Sequence, residues 1–273
     1  QRGFDLGPLA LVAGSPTVMG GDVGRHAALA HDPEGGQHIA YYDALFGDLR
    51  YAHRSLPSDP WTVEVVDAEG DVGQYASIAL GDPLINQGNA NVTAGSRFVT
   101  LTIGPGLHRR MEGGRFRADG VDSTWYRIAA VEPELNRIEL SAPFGGATTL
   151  DTTYTLLFYQ PVIAYQDASG PWALKVARPQ VNGAWRIDTV HDADGTPGSP
   201  ARTGFYTSTA VDANNRIHLA WQDRTTLVGD TGRLYYALYN GIAWTREVVD
   251  PAPQRGSYAR LVLDGAGNPT IFY

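Results

Sequence analysis

Ile39-Ala40-Tyr41-Tyr42-Asp43 returns as Ile163-Ala164-Tyr165-Gln166-Asp167 and as Leu219-Ala220-Trp221-Gln222-Asp223, and a further copy begins at Ile271-Phe272-Tyr273. Self-similarity of this kind marks one supersecondary unit stacked on copies of itself. The flanking segments repeat with it. A run termed a precedes it at residues 25–30, 75–80, 206–211 and 258–263, entered after Gly24, Gly73, Gly204 and Gly256. Turn chemistry follows three of these runs, at Asp32-Pro33-Glu34-Gly35-Gly36, Asp212-Ala213-Asn214-Asn215 and Asp264-Gly265-Ala266-Gly267-Asn268. With the quoted stretch as run b, run c falls at 49–53, 174–178 and 234–238, and run d opens on Trp61, Trp185 and Trp244. Runs of five or six residues bury no core alone, whereas four-stranded sheets arranged radially do. The expected fold class is all-β: a β-propeller with blades of four antiparallel strands, roughly 50 residues each.

Composition agrees. The chain has 273 residues, 43% hydrophobic and 10% aromatic, with 32 Gly and 17 Pro. Its apolar residues alternate in short runs and show no sustained 3.6-residue period. A formal charge of −8 excludes the concentrated basic surface that a nucleic-acid partner needs. Lys175 is the sole lysine, which codon usage in a GC-rich genome explains most simply. Zero cysteine removes disulfide and thiol chemistry without choosing a compartment. No apolar run approaches 18 residues, so no helical membrane span is expected.

The second unit is interrupted. After residues 75–80 a turn is read at Gly81-Asp82-Pro83, yet run b arrives only at 161–165. Residues 85–158 between them alternate on their own, with Phe98, Arg115-Phe116-Arg117, Trp125-Tyr126, Arg137-Ile138 and Tyr154 in successive segments split by Gly, Pro and Asn. They are expected to form an inserted small β-barrel or sandwich, between propeller parts at 1–84 and 159–273. Residues 9–13 supply one more candidate strand. Three complete units plus two partial ones leave two routes to closure, the termini joining or a longer chain, and the sequence favours the second slightly.

The repeat, with its Tyr-x-Ser-x-Ala run a, Ile-Ala-Tyr-Tyr-Asp run b and Trp-opened run d, resembles propeller-type repeats of bacterial secreted and surface proteins, and loosely the sialidase-like propellers. The Asp-box of sialidases, Ser-x-Asp-x-Gly-x-x-Trp, is only echoed at Ser58-Asp59-Pro60-Trp61 and Asp167-Ala168-Ser169-Gly170-Pro171-Trp172. The insertion resembles a small β-domain of bacteriophage tail and head-decoration proteins, through Gly113-Gly114-Arg115-Phe116-Arg117, Trp125-Tyr126-Arg127-Ile128, the 138–148 stretch and Tyr154-Thr155-Leu156. That resemblance implies an extracellular, cell-surface or virion setting and other protein subunits as partners.

Candidate chemistry is sparse. Asp43, Asp167 and Asp223 end run b in three units, where a ring of carboxylates suits Ca²⁺ or sugar hydroxyls, or else caps the turn that follows. Asp192-Ala193-Asp194-Gly195 echoes a calcium loop but has Thr203 where the bidentate Glu is needed. Glu64, Asp188 and Glu247 follow the tryptophans by three residues; if His53, Arg178 and Leu238 sit opposite the tryptophans, these acids face Arg50, Lys175 and Tyr235. The seven histidines show no zinc-ligand spacing, and no Gly-x-Ser-x-Gly elbow or phosphate loop is present. Tyr42 and Trp172 are candidate sugar-stacking aromatics, and Arg115 and Arg117 belong to a basic cluster that suits an acidic partner surface. The leading expectation is a non-catalytic binding or structural module recognising a glycan, a cell-surface receptor or a partner subunit. A secreted glycoside hydrolase or sialidase-like enzyme, and a soluble lectin, are the alternatives.

Overall fold

The computed structural model describes residues 22–192, 202–224 and 232–273. The candidate strand at 9–13 and residues 193–195 of the calcium-like loop lie outside them. The described chain is all-β, apart from two single 3₁₀ turns at Arg109–Met111 and Pro133–Leu135.

Strands β1 (Val23–His31), β2 (Gln37–Asp43), β3 (Asp48–Arg54) and β4 (Thr62–Asp67) form an antiparallel meander in sequence order. The second sheet starts with β5 (Val72–Val92), which runs on for 21 residues. Between β5 and its return partner come β6 (Phe98–Ile103), β7 (Arg115–Ala118), β8 (Tyr126–Glu132) and β9 (Arg137–Leu140). The partner, β10 (Thr149–Asp167), has 19 residues and leads to β11 (Ala173–Pro179) and β12 (Trp185–Asp192). The inner halves of β5 and β10, with β11 and β12, make a second four-stranded sheet.

The outer halves of the same two strands enter a closed ring in the order β5-β6-β9-β8-β7-β10. Closure leaves this six-stranded sheet without a free edge. Its interior holds Met111, Phe116, Ile128, Ile138, Leu140 and Phe144. Gly81-Asp82-Pro83 is therefore not the turn that its composition suggests. Phe158 pairs with Leu84 and Gln160 with Gly81, so Asp82 and Pro83 together oppose Tyr159. This is a bulge, where a strand tolerates proline because no ladder bond is lost.

Strands β13 (Arg202–Val211), β14 (Ile217–Arg224), β15 (Arg233–Tyr239) and β16 (Trp244–Asp250) repeat the meander, and β17 (Arg260–Leu263) and β18 (Pro269–Phe272) begin another. Consecutive sheets pack face to face. Period-two alternation along β10 sends Ile163 and Tyr165 toward Leu49 and Tyr51 of the first sheet, and Val162 and Ala164 toward Leu219 and Trp221 of the third. Ala220 and Leu234 meet Ala259 and Leu261 in the same way. Each fully buried aliphatic side chain contributes about 1.5–3 kcal/mol.

The register of strands c and d differs from expectation by one residue in all three sheets. Thr62, Trp185 and Trp244 pair with His53, Pro179 and Tyr239, so Glu64, Asp188 and Glu247 stand opposite Tyr51, Val176 and Tyr236. A one-residue slip moves each side chain to the other face. Arg50 and Lys175 consequently turn to the run-b aspartates instead: Arg50 to Asp43 at 2.7 Å, Lys175 to Asp167 at 2.7 Å.

Candidate functional site

Two residues after each glycine that opens strand a stands an aromatic ring on left-handed backbone. His26 (φ 53°), Tyr75 (φ 52°), Tyr206 (φ 52°) and Tyr258 (φ 55°) follow Gly24, Gly73, Gly204 and Gly256, whose φ values are 91°, 107°, 83° and 84°. A bulky side chain at positive φ is strained by about 1–3 kcal/mol, and such strain concentrates at functional positions. Here it recurs in all four sheets. The glycines are needed on separate grounds: a Cβ on Gly73 would stand 2.9 Å from Leu49 Cα. Register breaks accompany this geometry in β1 between Val23 and Ala28 and in β13 between Arg202 and Ser208. Bulges of this kind re-aim a side chain.

The four rings meet. His26 and Tyr75 have centroids 4.5 Å apart, Tyr75 and Tyr206 5.1 Å, and Tyr206 and Tyr258 4.4 Å. They form one continuous aromatic row across the first, second, third and fourth sheets, at the end where strands a begin. Tyr258 is 78% exposed, and Tyr75 and Tyr206 are half-buried. Burial, together with the bond to Tyr258, raises the Tyr206 phenol above its usual pKa.

A second cluster adjoins the row. Trp172 lies stacked on Phe205 at 5.9 Å, with the Arg202 guanidinium 4.8 Å above Trp172 and that of Arg224 4.5 Å from Phe205. Phe205 in turn stands edge-on to Tyr75 at 5.2 Å. Arg224 also reaches Gln222 and the Tyr206 hydroxyl, at 2.8 and 3.4 Å. Tyr42, on the other flank, packs toward His26 and donates its hydroxyl to Asp71 at 2.7 Å. Burial and that bond push its phenol up to about 12. Gln74 donates to the same carboxylate at 3.1 Å, so one acid holds two side chains at the edge of the row.

The run-b aspartates serve the local backbone. Asp43 accepts the Leu45 N–H at 3.1 Å and pairs with Arg50; Asp167 accepts the Ser169 N–H at 2.9 Å and pairs with Lys175. Burial opposes charge on Asp167, but the bonds from Lys175 and Ser169 outweigh it and hold its pKa below the ordinary value. Asp223 stands across from Arg233 at the end of the β14–β15 pair. Among the described residues no group of three His, Asp or Glu side chains is placed to hold a metal ion.

Arg115 and Arg117 lie elsewhere, on the six-stranded ring. Arg115 pairs with Glu34 of the first sheet's a–b turn, and Arg117 bonds Asp119 at 2.7 Å beneath the Trp125 ring. Of the sequence candidates, then, Tyr42 and Trp172 flank the aromatic row, Asp43 and Asp167 cap turns near its end, and the two arginines belong to another region. The row itself was written as Gly-Arg-His, Gly-Gln-Tyr, Gly-Phe-Tyr and Gly-Ser-Tyr at 24–26, 73–75, 204–206 and 256–258. A glycine two residues before an aromatic, in every copy, was the available signal.

No protein-family model matches the chain, and no curated protein matches it. Among solved structures, a mutant of the Aleuria aurantia lectin in complex with Fucα1-6GlcNAc is similar at 14% identity and a TM-score of 0.23, covering 92% of this chain and 87% of the lectin. The same mutant in complex with alpha-methyl-L-fucoside gives 14% identity and a TM-score of 0.21, covering 90% and 86%. At such scores the three-dimensional overlap is slight.

Proposed function

We propose that the sheets are blades of a β-propeller, with the six-stranded ring inserted in the second, and that the end carrying the aromatic row binds glycans without turnover. The observation that carries this is the repetition: four rings, each in contact with the next, and each on left-handed backbone that is strained for a bulky residue. Flat aromatic faces stack on the apolar faces of sugar rings, while flanking guanidinium, amide and carboxylate groups exchange hydrogen bonds with hydroxyls. Arg224, Gln74 and Asp71 stand at those flanks. A binding role, rather than a hydrolytic one, fits the local carboxylates. Asp43 and Asp167 are ion-paired, and the bonds that hold the Asp167 pKa below its ordinary value do not suit it to protonate a leaving group.

The test is an array of immobilised glycans probed with the native chain and with Tyr75→Gly/Tyr206→Gly. Glycine suits the left-handed backbone, so the substitution removes rings without adding strain. Each stacking ring is worth about 0.5–1.5 kcal/mol beyond its buried area, so the double variant is expected to lose at least about tenfold in affinity for the glycans that the native chain retains. A native chain that retains none, or a variant that binds as well, would overturn the reading.

A further inference from the structure

At the opposite end of strands a, where the a–b turns lie, a cleft of about 520 Å³ opens between the first sheet, the third sheet and the root of the six-stranded ring. Its apolar walls come from Leu80, Pro83, Leu157, Tyr159 and Val211. The walls are preorganised. Asp32 accepts the N–H groups of Glu34 and Gly36 at 3.0 and 2.7 Å, and Asp212 accepts those of Asn214 and Arg216 at 2.9 and 2.8 Å, so both turns that border the cleft are pinned. The third border is the bulge, in which Asp82 and Pro83 oppose Tyr159 and the Asp82 N–H is held by Asn215 at 3.1 Å. Gly114 leaves bare backbone at the wall, since a Cβ there would strike the Leu157 carbonyl oxygen at 2.3 Å.

Two carboxylates line this apolar space with capacity to spare. Glu34 gives Oε1 to Arg115, while its Oε2 is buried and has no hydrogen-bond partner. Burial raises the Glu34 pKa, as expected of a carboxylate short of donors. Asp82 has no side-chain partner among the described residues. The remaining acid of the lining, Asp212, is fully engaged by backbone donors, Arg216 and His218. A buried carboxylate oxygen without a donor is costly, and a ligand donor would relieve it.

We infer that this cleft is a second ligand site, separate from the aromatic row, and that it takes a small organic ammonium with an apolar body. The ammonium donates to Glu34 Oε2 and Asp82, and the body fills the space between Leu80, Leu157 and Val211. Three N–H donors on a compact charge suit two acceptors in one cleft, one on the a–b turn of the first sheet and one on the bulge of β5.

The experiment is calorimetric titration of the full chain with 2-phenylethylamine and, separately, with 3-phenylpropionate, which presents a similar apolar body with the opposite charge. One-to-one binding of the amine, at least tenfold tighter than that of the acid, is expected. Asp82→Asn, at an exposed residue whose side chain makes no hydrogen bond or ion pair among the described residues, should fold normally and weaken the amine about tenfold; Glu34→Gln/Asp82→Asn should abolish the preference. Absence of amine binding, equal binding of the acid, or unchanged affinity in Asp82→Asn would each overturn the inference. Glycan binding at the other end is expected to be unaffected by these variants, so the two sites fail or stand separately.

Discussion

The Arg110 guanidinium carbon lies 4.4 Å from the centre of the Trp185 ring, and Arg110 Nε stands 3.2 Å from Glu64 Oε1. Arg110 comes from the short 3₁₀ turn before β7, Glu64 from β4 and Trp185 from β12, so one side chain of the six-stranded ring joins two neighbouring sheets. Burial opposes charge on both partners: it lowers the Arg110 pKa and raises that of Glu64, and each is opposed by the other's charge. Removing one partner of such a pair leaves an uncompensated charge. Arg110→Ala is expected to destabilise the protein by about 3–5 kcal/mol, and Arg110→Met/Glu64→Gln by clearly less, measured by urea unfolding. Equal losses in the two variants would contradict this account of the contact.

Beside that pair, burial depresses two histidines. His53 falls to about 3, with His38 and Arg110 adding repulsion, and His108 falls to about 4, with Arg110 again adding. Both folded values lie below the unfolded value of about 6.5, so the unfolded chain binds the extra protons and stability is lost as pH falls from about 6.5 toward 4. The slope is up to about 1.4 kcal/mol per pH unit for each histidine. Asp212, held at about 2 by backbone N–H groups and Arg216 against the pull of burial, adds its own loss only below about pH 4. Urea midpoints at pH 7, 6 and 5 should fall steadily, and His53→Gln/His108→Gln should flatten them; an unchanged slope in that variant would refute the assignment.

The chain's one lysine is placed between two buried acids. Lys175 Nζ lies 2.7 Å from Asp167 and 3.6 Å from Asp67, and Asp67 also accepts the Tyr165 hydroxyl at 2.7 Å. Burial alone would lower the Lys175 pKa, but the bond to Asp167 and the charge on Asp67 hold it above the ordinary value. Lys175→Met strands two carboxylates and should destabilise by about 3–5 kcal/mol at neutral pH, with part of the loss recovered on acidification, since a carboxylate buried without its cation takes up a proton more readily. A loss that does not shrink on acidification would contradict the network.

Gly73 and Gly24 separate conformation from space. Both have positive φ, but a Cβ on Gly24 meets nothing within 4 Å, whereas one on Gly73 stands 2.9 Å from Leu49 Cα. Gly24→Ala should cost about 1–2 kcal/mol from backbone strain, and Gly73→Ala distinctly more. Thermal unfolding of the two variants side by side checks the order.

Strand content was legible because residues such as Ile163, Leu219 and Trp221 alternate faces in a repeated frame, and β2, β10 and β14 all end at or within one residue of the expected aspartate. The c–d register was not. The register that sets Glu64 against Arg50 fitted all three copies and paired opposite charges in two of them, yet Arg50 and Lys175 are drawn to Asp43 and Asp167 on the neighbouring strand, which the c–d hairpin read alone does not reveal. Asp82-Pro83 misled for a related reason: the same residues serve a turn or a bulge, and only pairing with Tyr159 decides between them. The aromatic row is hard to read from sequence because positive φ at His26, Tyr75, Tyr206 and Tyr258 runs against the residue type. Local preference fails there, as it commonly does at functional positions.

The most direct test of the central claim is a crystal structure of the protein soaked with the glycan that the array selects. The account predicts a sugar ring stacked within about 4 Å of Tyr75, Tyr206 or Tyr258, with hydroxyls bonded to Arg224, Gln74 or Asp71. A sugar bound on the six-stranded ring or in the cleft beside Glu34, with the aromatic row bare, would contradict it.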